Sequence, residues 1–380
     1  MGVRTCDRSC RRIAWPTALV ALALQWFFIV HLVFVPRSTR TSENEHDETT
    51  PAKLQQRFSQ LSVPKGGIDN KLVTTSTDPP FHMFVYPDNV DKVISRSIAE
   101  NGVYEPTTTD LAYKLLPTDD LLEKNQYLAV DLGSNLGYYS LLLASRGVHV
   151  ISFEASPDTA WLQRSSVALN RLTMSRGSIT IIDKGVTDKP SKGRLSRNSE
   201  SPGMTSFATV DKFDLERGAA GTALDADIQL VRAGDVLNDL GLGMNGTMSF
   251  ENESPNGQSH NTIFHILKID VEGFELKALK GLDLAQYKFR HIIMEYFPYM
   301  LRGAGTDPPE VLLYMLSHGY KFYEVVGRRV RELREIKEGG TAKGLRDWAI
   351  AAEKGKGDGL HVNLFASISV EDLGANFTLG

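Results

Sequence analysis

The chain has 380 residues, with 42 Lys+Arg against 46 Asp+Glu, a formal net charge of -4, 42% hydrophobic residues and two cysteines. So balanced a charge excludes a nucleic-acid binder that relies on a basic field, and 32 Gly with 16 Pro excludes a collagenous or low-complexity chain. The length allows one large or two ordinary domains, each with a sizeable core.

The N-terminus departs from these averages. Residues 13–35 carry no charge and 19 of the 23 are apolar, the exceptions being Pro16, Thr17, Gln25 and His31. As a helix they would run roughly 34 Å, enough to cross a hydrocarbon core of about 30 Å. A cleaved signal peptide, the competing reading, has a shorter apolar core that ends at small residues. Arg4, Arg8, Arg11 and Arg12 precede the segment, whereas Arg37 and Arg40 beyond it are soon followed by Glu43, Glu45, Asp47 and Glu48. The positive-inside bias predicts a cytosolic tail at 1–12, a transmembrane signal anchor at 13–35 and a lumenal remainder, that is, a single-pass type II protein of the Golgi or another endomembrane. Cys6 and Cys10 both fall in the tail, so the lumenal part is expected to hold together without disulfides. Sequons at Asn245, Asn252 and Asn376 suit a lumenal glycoprotein.

From 36 to 80, Ser, Thr, Pro and charge predominate, as in a flexible stem. Scattered apolar positions over 81–126, broken at Pro106 and Pro117, predict short helices that cap the domain beginning at 127. From Tyr127 short apolar runs alternate with helical periodicity, the pattern of a mostly parallel sheet covered on both faces. Strands are expected at 127–131, 149–154 and 178–183. Helices are expected at 136–146 and 158–172, the second opened by Ser156 as N-cap and Pro157 at N1. Regularity fades between 184 and 260, where 207–210 and 228–232 could be strands and 238–259 a surface insertion. A buried strand at 263–270 leads to a helix ended by Gly281. Then come a strand at 291–295, a helix at 308–318 and strands at 321–326 and 360–366. The run 328–338, with 8 charges in 11 residues, reads as a solvated helix or loop.

Three stretches carry chemistry. The first strand ends in Asp131-Leu-Gly133-Ser-Asn135-Leu-Gly137, a glycine-bearing turn that lets a ligand approach the backbone at a helix N-terminus. Asn135 stands where a dinucleotide fingerprint needs its second glycine, so the leading acid suits instead a cofactor with a cationic amino-acid end, such as S-adenosylmethionine. An ordinary strand-to-helix turn is the competing reading. Glu154 ends the second strand, where an acid accepts hydrogen bonds from ribose in nucleoside-binding sheets. Lys268, Asp270 and Glu272 alternate at the carboxyl end of a central strand; they would share one face if the strand persists, and are expensive to desolvate without a ligand or one another. Glu295, ending the next strand, is on the same rim. His265, mid-strand, is expected to be a packed core residue, and no histidine pair at metal-ligand spacing is seen.

Asp131-Leu-Gly-Ser-Asn-Leu-Gly-Tyr-Tyr-Ser, Phe153-Glu154-Ala-Ser-Pro157, Leu267-Lys-Ile-Asp-Val-Glu-Gly-Phe-Glu-Leu and Ile292-Ile-Met-Glu295 together resemble the FkbM-type S-adenosylmethionine-dependent methyltransferases. The resemblance covers roughly 127–366, within a domain set at 127–370. It implies a class I, Rossmann-like fold, a seven-stranded sheet whose last strands are antiparallel, and methylation of a hydroxyl, often on a sugar or polyketide. It also implies that Asp131, Gly133, Asn135 and Gly137 hold the methionine part, Glu154 the ribose, and Asp183 the adenine. The sequence departs from the family at 184–260 and at Ala155, where proline is frequent.

A sugar hydroxyl needs a general base, for which Asp270 or Glu272 are candidates, with Lys268 steadying the developing alkoxide. The expected acceptor is a glycan or other hydroxyl-bearing molecule, with no metal, no nucleic acid and an undetermined oligomeric state. Two other readings stay open: a type II glycosyltransferase, for which Asp225-Ala-Asp227 is a formal D-x-D, and a methyltransferase fold kept for binding alone.

Overall fold

The computed structural model describes residues 70–171, 174, 176–196, 206–209, 224–242, 262–326, 329–332, 342–353 and 362–368. All lie in the second of two units, Phe58–Gly380. The tail, the anchor, the stem up to residue 69, both cysteines, the three sequons, the insertion beyond residue 242 and the run 333–338 fall outside the described residues. Among the described residues no helix is long and apolar enough to cross a membrane.

Order begins earlier than expected. Strands β1 (Lys71–Thr74) and β2 (His82–Val85) form an antiparallel hairpin, so the stem's last residues are sheet rather than flexible chain. The hairpin is held from outside: the amide N–H groups of His82 and Phe84 donate to Asn170 and Ser166 of a later helix. Three short helices come next, α1 (Ile94–Asn101), α2 (Pro106–Leu115) and α3 (Asp119–Lys124). Pro106 starts α2 rather than breaking it, because its missing N–H is no loss at N1.

The main sheet opens with β3 (Gln126–Leu132), then α4 (Tyr138–Ser145), β4 (His149–Phe153), α5 (Pro157–Asn170) and β5 (Ser178–Ile182). Ser156 caps α5, its Oγ accepting from the amide of Thr159 at 3.4 Å. A second sheet is built from β6 (Gly185–Val186), β7 (Ser191–Ser196), β8 (Ser206–Thr209) and β9 (Leu224–Val231), in the order β6-β9-β7-β8. The chain then passes through α6 (Ala233–Asp239), β10 (Thr262–Ile269), α7 (Glu275–Leu282), β11 (His291–Tyr296), α8 (Pro298–Gly303), α9 (Pro308–Ser317), β12 (Lys321–Val326), β13 (Arg329–Glu332), α10 (Ala342–Glu353) and β14 (Val362–Ser367).

Seven strands run in the order β12-β14-β11-β10-β3-β4-β5, with β13 as an eighth on the β12 edge. This is a Rossmann-like mixed sheet: β11, β10, β3, β4 and β5 are mutually parallel, and β14 is antiparallel to both β11 and β12. The charged run read as helix or loop is thus partly a strand, β13, paired to β12 at the sheet margin where charge is tolerated.

Alternation sorts the central strands into two cores. Leu128, Val130 and Leu132 enter the core shared with α6 to α10, whereas Tyr127 and Ala129 enter the one built with the hairpin and α1, α2, α4 and α5. On β10 the alternation is interrupted: Phe264 pairs with Leu128 but Ile266 with Ala129, leaving His265 as an extra residue. This bulge gives Leu267 and Ile269 to the first core and turns Lys268 toward the second, opposite Asp131. His265 is a packed core residue as expected, with Nε2 2.6 Å from the Leu115 carbonyl and its ring edge-on to Tyr127 and His291.

Candidate active site

The carboxyl ends of β3, β4, β10 and β11 converge on one rim, the position where open sheets bind ligands. At β3 the turn from Gly133 to Gly137 is left-handed at Gly133 (φ 80°), Asn135 (φ 52°) and Gly137 (φ 83°). Glycine is needed at 133 on a second count, since a Cβ there would stand 1.8 Å from the Asp270 carbonyl oxygen. The close approach brings the ends of β3 and β10 together, and the Asp270 amide donates to the Leu132 carbonyl at 2.9 Å.

Each acid at the rim is held differently. Asp131 is 2% exposed, accepts from Ser140 Oγ at 2.6 Å, and is pushed by burial up to about 6. Half-buried Glu154 links two turns: its carboxylate accepts from the Asn135 amide at 2.9 Å and the Ser156 amide at 2.7 Å, while burial raises it to about 7. Each oxygen keeps a lone pair, so ribose hydroxyls could still donate to it. Beneath the turn Ser134, Ser152 and Gln163 close a buried polar ring, with Ser152 Oγ donating to Ser134 Oγ at 2.7 Å and Gln163 Nε2 to Ser152 Oγ at 2.6 Å. Ser134 Oγ and Gln163 Oε1 are 3.1 Å apart. Nothing in the sequence marks these three, because their separations of 11 to 29 residues follow no local period.

Lys268 is 2% exposed, and its Nζ lies 3.3 Å from Asp270 Oδ2 and 5.3 Å from the centre of the Tyr139 ring. Burial pulls its pKa down, but the carboxylates of Asp270, Glu105, Glu295 and Asp131 outweigh burial and the net shift is upward, so the ammonium stays charged. The strand does not persist to Glu272, as the alternate spacing required. β10 ends at Ile269, and Glu272 sits in a left-handed turn at φ 53°. The turn nevertheless returns its carboxylate to the group, so that Asp270, Glu272 and Glu295 each offer an oxygen within 4.8 Å of the others. Those three could hold a cation. Burial, then the neighbouring Asp270, Glu295 and Glu275 charges, raise Glu272 to about 9. Glu275, 2% exposed and bonded through Oε1 to the Gly273 amide at 3.0 Å, is raised by burial to about 7.

Asp131, Gly133, Asn135, Gly137, Glu154, Lys268, Asp270 and Glu272 therefore lie around one rim. Asp183 is exposed and ion-paired with Arg164 of α5 at 2.8 Å. Of the D-x-D pair, Asp227 lies within β9 and is exposed beside Arg194 at 3.3 Å, a cross-strand pair in the second sheet. Sequence reasoning missed Tyr104 and Glu105, which precede α2. Tyr104 stands edge-on to Tyr138 and Tyr139, and burial followed by the charges of Glu105, Asp270, Glu295 and Glu272 raises its hydroxyl pKa.

Residues 257–322 match the methyltransferase FkbM domain. Methyltransferase sdnD of Sordaria araneosa is 24% identical over 210 residues, covering 51% of this chain and 73% of that protein. The crystal structure of methyltransferase FkbM from Methylobacillus flagellatus KT aligns over 67% of this chain at 15% identity and a TM-score of 0.33; the alignment spans 47% of that protein, less than half its length. A SAM-dependent methyltransferase from Agrobacterium tumefaciens aligns over 80% of this chain and 72% of its own, at 11% identity and a TM-score of 0.33. In sequence this chain is thus similar to methyltransferases, and to the FkbM domain over the one segment that brings Lys268, Asp270, Glu272 and Glu295 to the rim.

Proposed function

We propose that the chain is an S-adenosylmethionine-dependent O-methyltransferase acting on a hydroxyl of a glycan or glycoconjugate, by in-line transfer with a carboxylate general base. The observation that carries this reading is the register of β10 on β3, which sets Lys268 opposite Asp131 and so places an acid cluster beside the glycine turn. Asp131, Gly133, Asn135 and Gly137 would receive the methionine end and Glu154 the ribose; a buried and a half-buried acid next to a left-handed turn fit a nucleoside with a cationic tail. Asp183, whose Oδ1 pairs with Arg164, would lie near adenine. Bound there, S-adenosylmethionine supplies a methyl group activated by its sulfonium.

The chain's own residues orient the acceptor and move its proton. A carboxyl that holds its proton up to about pH 9 cannot take another at neutrality, which turns Glu272 into a hydrogen-bond donor and leaves Asp270 as the base. Asp270 accepts the hydroxyl proton as the oxygen–methyl bond forms. Lys268 offers a fixed positive charge to the oxygen while its proton is leaving. Much of the acceleration comes from holding the two reactants in line.

The charge asymmetry around 13–35 supports an anchor with the catalytic unit on the lumenal side of an endomembrane, and the sequons support a glycoprotein. Protease protection of the full chain in sealed microsomes tests that topology. For the activity, calorimetry of the full chain against S-adenosylmethionine and against nucleotide sugars is decisive. Binding of the first alone, with transfer of methyl label to glycans released from the cell's own glycoproteins, is expected. Binding of a nucleotide sugar alone would establish the glycosyltransferase reading instead, and cofactor binding without transfer would favour a binding protein.

A further inference from the structure

Glu105 belongs to none of the four motifs and lies far from the FkbM-like segment, yet it touches the site from two directions. Its Oε2 accepts from the hydroxyl of Tyr139 at 2.7 Å, and its Oε1 accepts from Asn363 Nδ2 at 3.2 Å. Tyr139 carries the ring on which the Lys268 ammonium rests, and Asn363 of β14 is the in-register partner of Glu295 on β11. One carboxylate therefore joins the segment before α2, the first turn of α4 and the last strand, around Lys268, Asp270 and Glu295. The backbone is bent to allow it. Glu105 sits at φ 41° and ψ 73°, a left-handed conformation that side-chain-bearing residues avoid and that a following proline, here Pro106, disfavours further. Strain of this kind persists where surrounding contacts over-determine it, and it clusters at functional sites.

We propose that Glu105 is a positioning residue for Lys268: by fixing the Tyr139 ring and tying Asn363 to it, Glu105 holds the ammonium where it faces Asp270 and the acceptor oxygen. The proposal rests on Lys268 and Asp270 being the reacting pair. It extends the site to the N-terminal cap, so that the region before β3 closes the acceptor side instead of merely covering the sheet.

The test uses the full chain labelled with 13Cε-lysine, the Lys268 resonance being assigned by its loss in Lys268→Met. The Tyr139 ring current should displace that resonance from the exposed lysines. In Glu105→Ala the displacement is expected to collapse while S-adenosylmethionine affinity, read by calorimetry, stays within about twofold and methyl transfer to released glycans falls about tenfold or more. Glu105→Gln, which keeps one acceptor oxygen for Tyr139, should restore part of both. A Lys268 resonance unmoved in Glu105→Ala overturns the proposal, as does a moved resonance with unchanged transfer. Should Glu105→Ala not fold, Tyr139→Phe removes only the hydroxyl and keeps the ring, and the same resonance decides. If the parent chain binds no S-adenosylmethionine, the functional reading falls, while the resonance still reports whether Glu105 places Lys268.

Discussion

Asp270 and Glu272 are two residues apart and differ in what they can do. Replacing Asp270 with Asn removes the base and is expected to lower turnover by about 10²- to 10⁴-fold with cofactor affinity retained, as read by calorimetry beside a transfer assay. Glu272 gives a different signature. Its proton is held up to about pH 9 by burial and by the charges of Asp270, Glu295 and Glu275, so above that pH a further negative charge appears beside the base. Activity should fall on the alkaline side in the parent and lose that limb in Glu272→Gln, which stays neutral; an unchanged limb would assign it to another group. Gly133→Ala adds a Cβ 1.8 Å from a backbone oxygen at φ 80°, so both strand ends must part. Loss of S-adenosylmethionine binding together with a lower melting temperature is expected. At this scale the sequence announced the acids and glycines because turns and strand ends are local. Glu105 and Asn363 were invisible, and Tyr139, though inside the glycine-turn motif, had no role: the hydrogen bonds that give them meaning join residues 34 and 258 positions apart.

Among the elements, the seven strands from β12 to β5 and the helices α5 and α9 were legible within a few residues, because buried runs, N-caps and helix-starting prolines are written into adjacent positions; β13 was not legible. Gly281 misled. A glycine at the end of an apolar helix reads as a stop, but α7 runs on to Leu282 and turns at Asp283, in the left-handed region at φ 67°. Gly281 is there for contact: a Cβ would lie 1.9 Å from the Thr187 carbonyl oxygen, just after β6. Alanine normally gains about 1 kcal/mol over glycine inside a helix. Here the clash is with backbone and wins, so Gly281→Ala should destabilise by about 1–3 kcal/mol, measured as a lower denaturant midpoint. A gain in stability would mean that α7 and the Thr187 segment are not locked together. The hairpin β1–β2 and helix α10 went unread for a related reason. Their short segments become order only against α5 in the first case and α8 and α9 in the second.

For the molecule as a whole, two kinds of buried titratable group pull stability in opposite directions with pH. Asp131, Glu154 and Glu275 are raised by burial to about 6, 7 and 7, so the folded chain binds their protons more tightly than the unfolded one. Their contribution is complete below the unfolded carboxyl range near 4 and is lost as pH rises through 6 to 7. His291 is depressed by burial to about 3, with the neighbouring His265 and Arg290 adding to it. Its contribution is complete above about 6.5 and is lost as pH falls toward 3. With Glu272, raised to about 9, four carboxyls oppose His291 and outweigh it as soon as the unfolded carboxyls ionise, which puts the maximum at roughly pH 4. Melting temperatures of the full chain from pH 3 to 9 should peak near pH 4 and fall above it; a maximum near pH 8 would mean that water reaches these carboxyls.

The extra residue at His265 has a consequence for how the chain tolerates change. Before it, β10 is written in one phase, and after it in the other; His265 is the place where the frame shifts. Substituting its side chain alters packing against Tyr127 and His291 but leaves the frame alone. Deleting the residue would leave Phe264 followed directly by Ile266, the alternation that their partners Leu128 and Ala129 already keep, so Leu267 and Ile269 would stay in the first core and Lys268 opposite Asp131. One residue added between Ile266 and Leu267 is what would exchange the faces, presenting Leu267 and Ile269 to the rim and driving the charge of Lys268 into the opposite core.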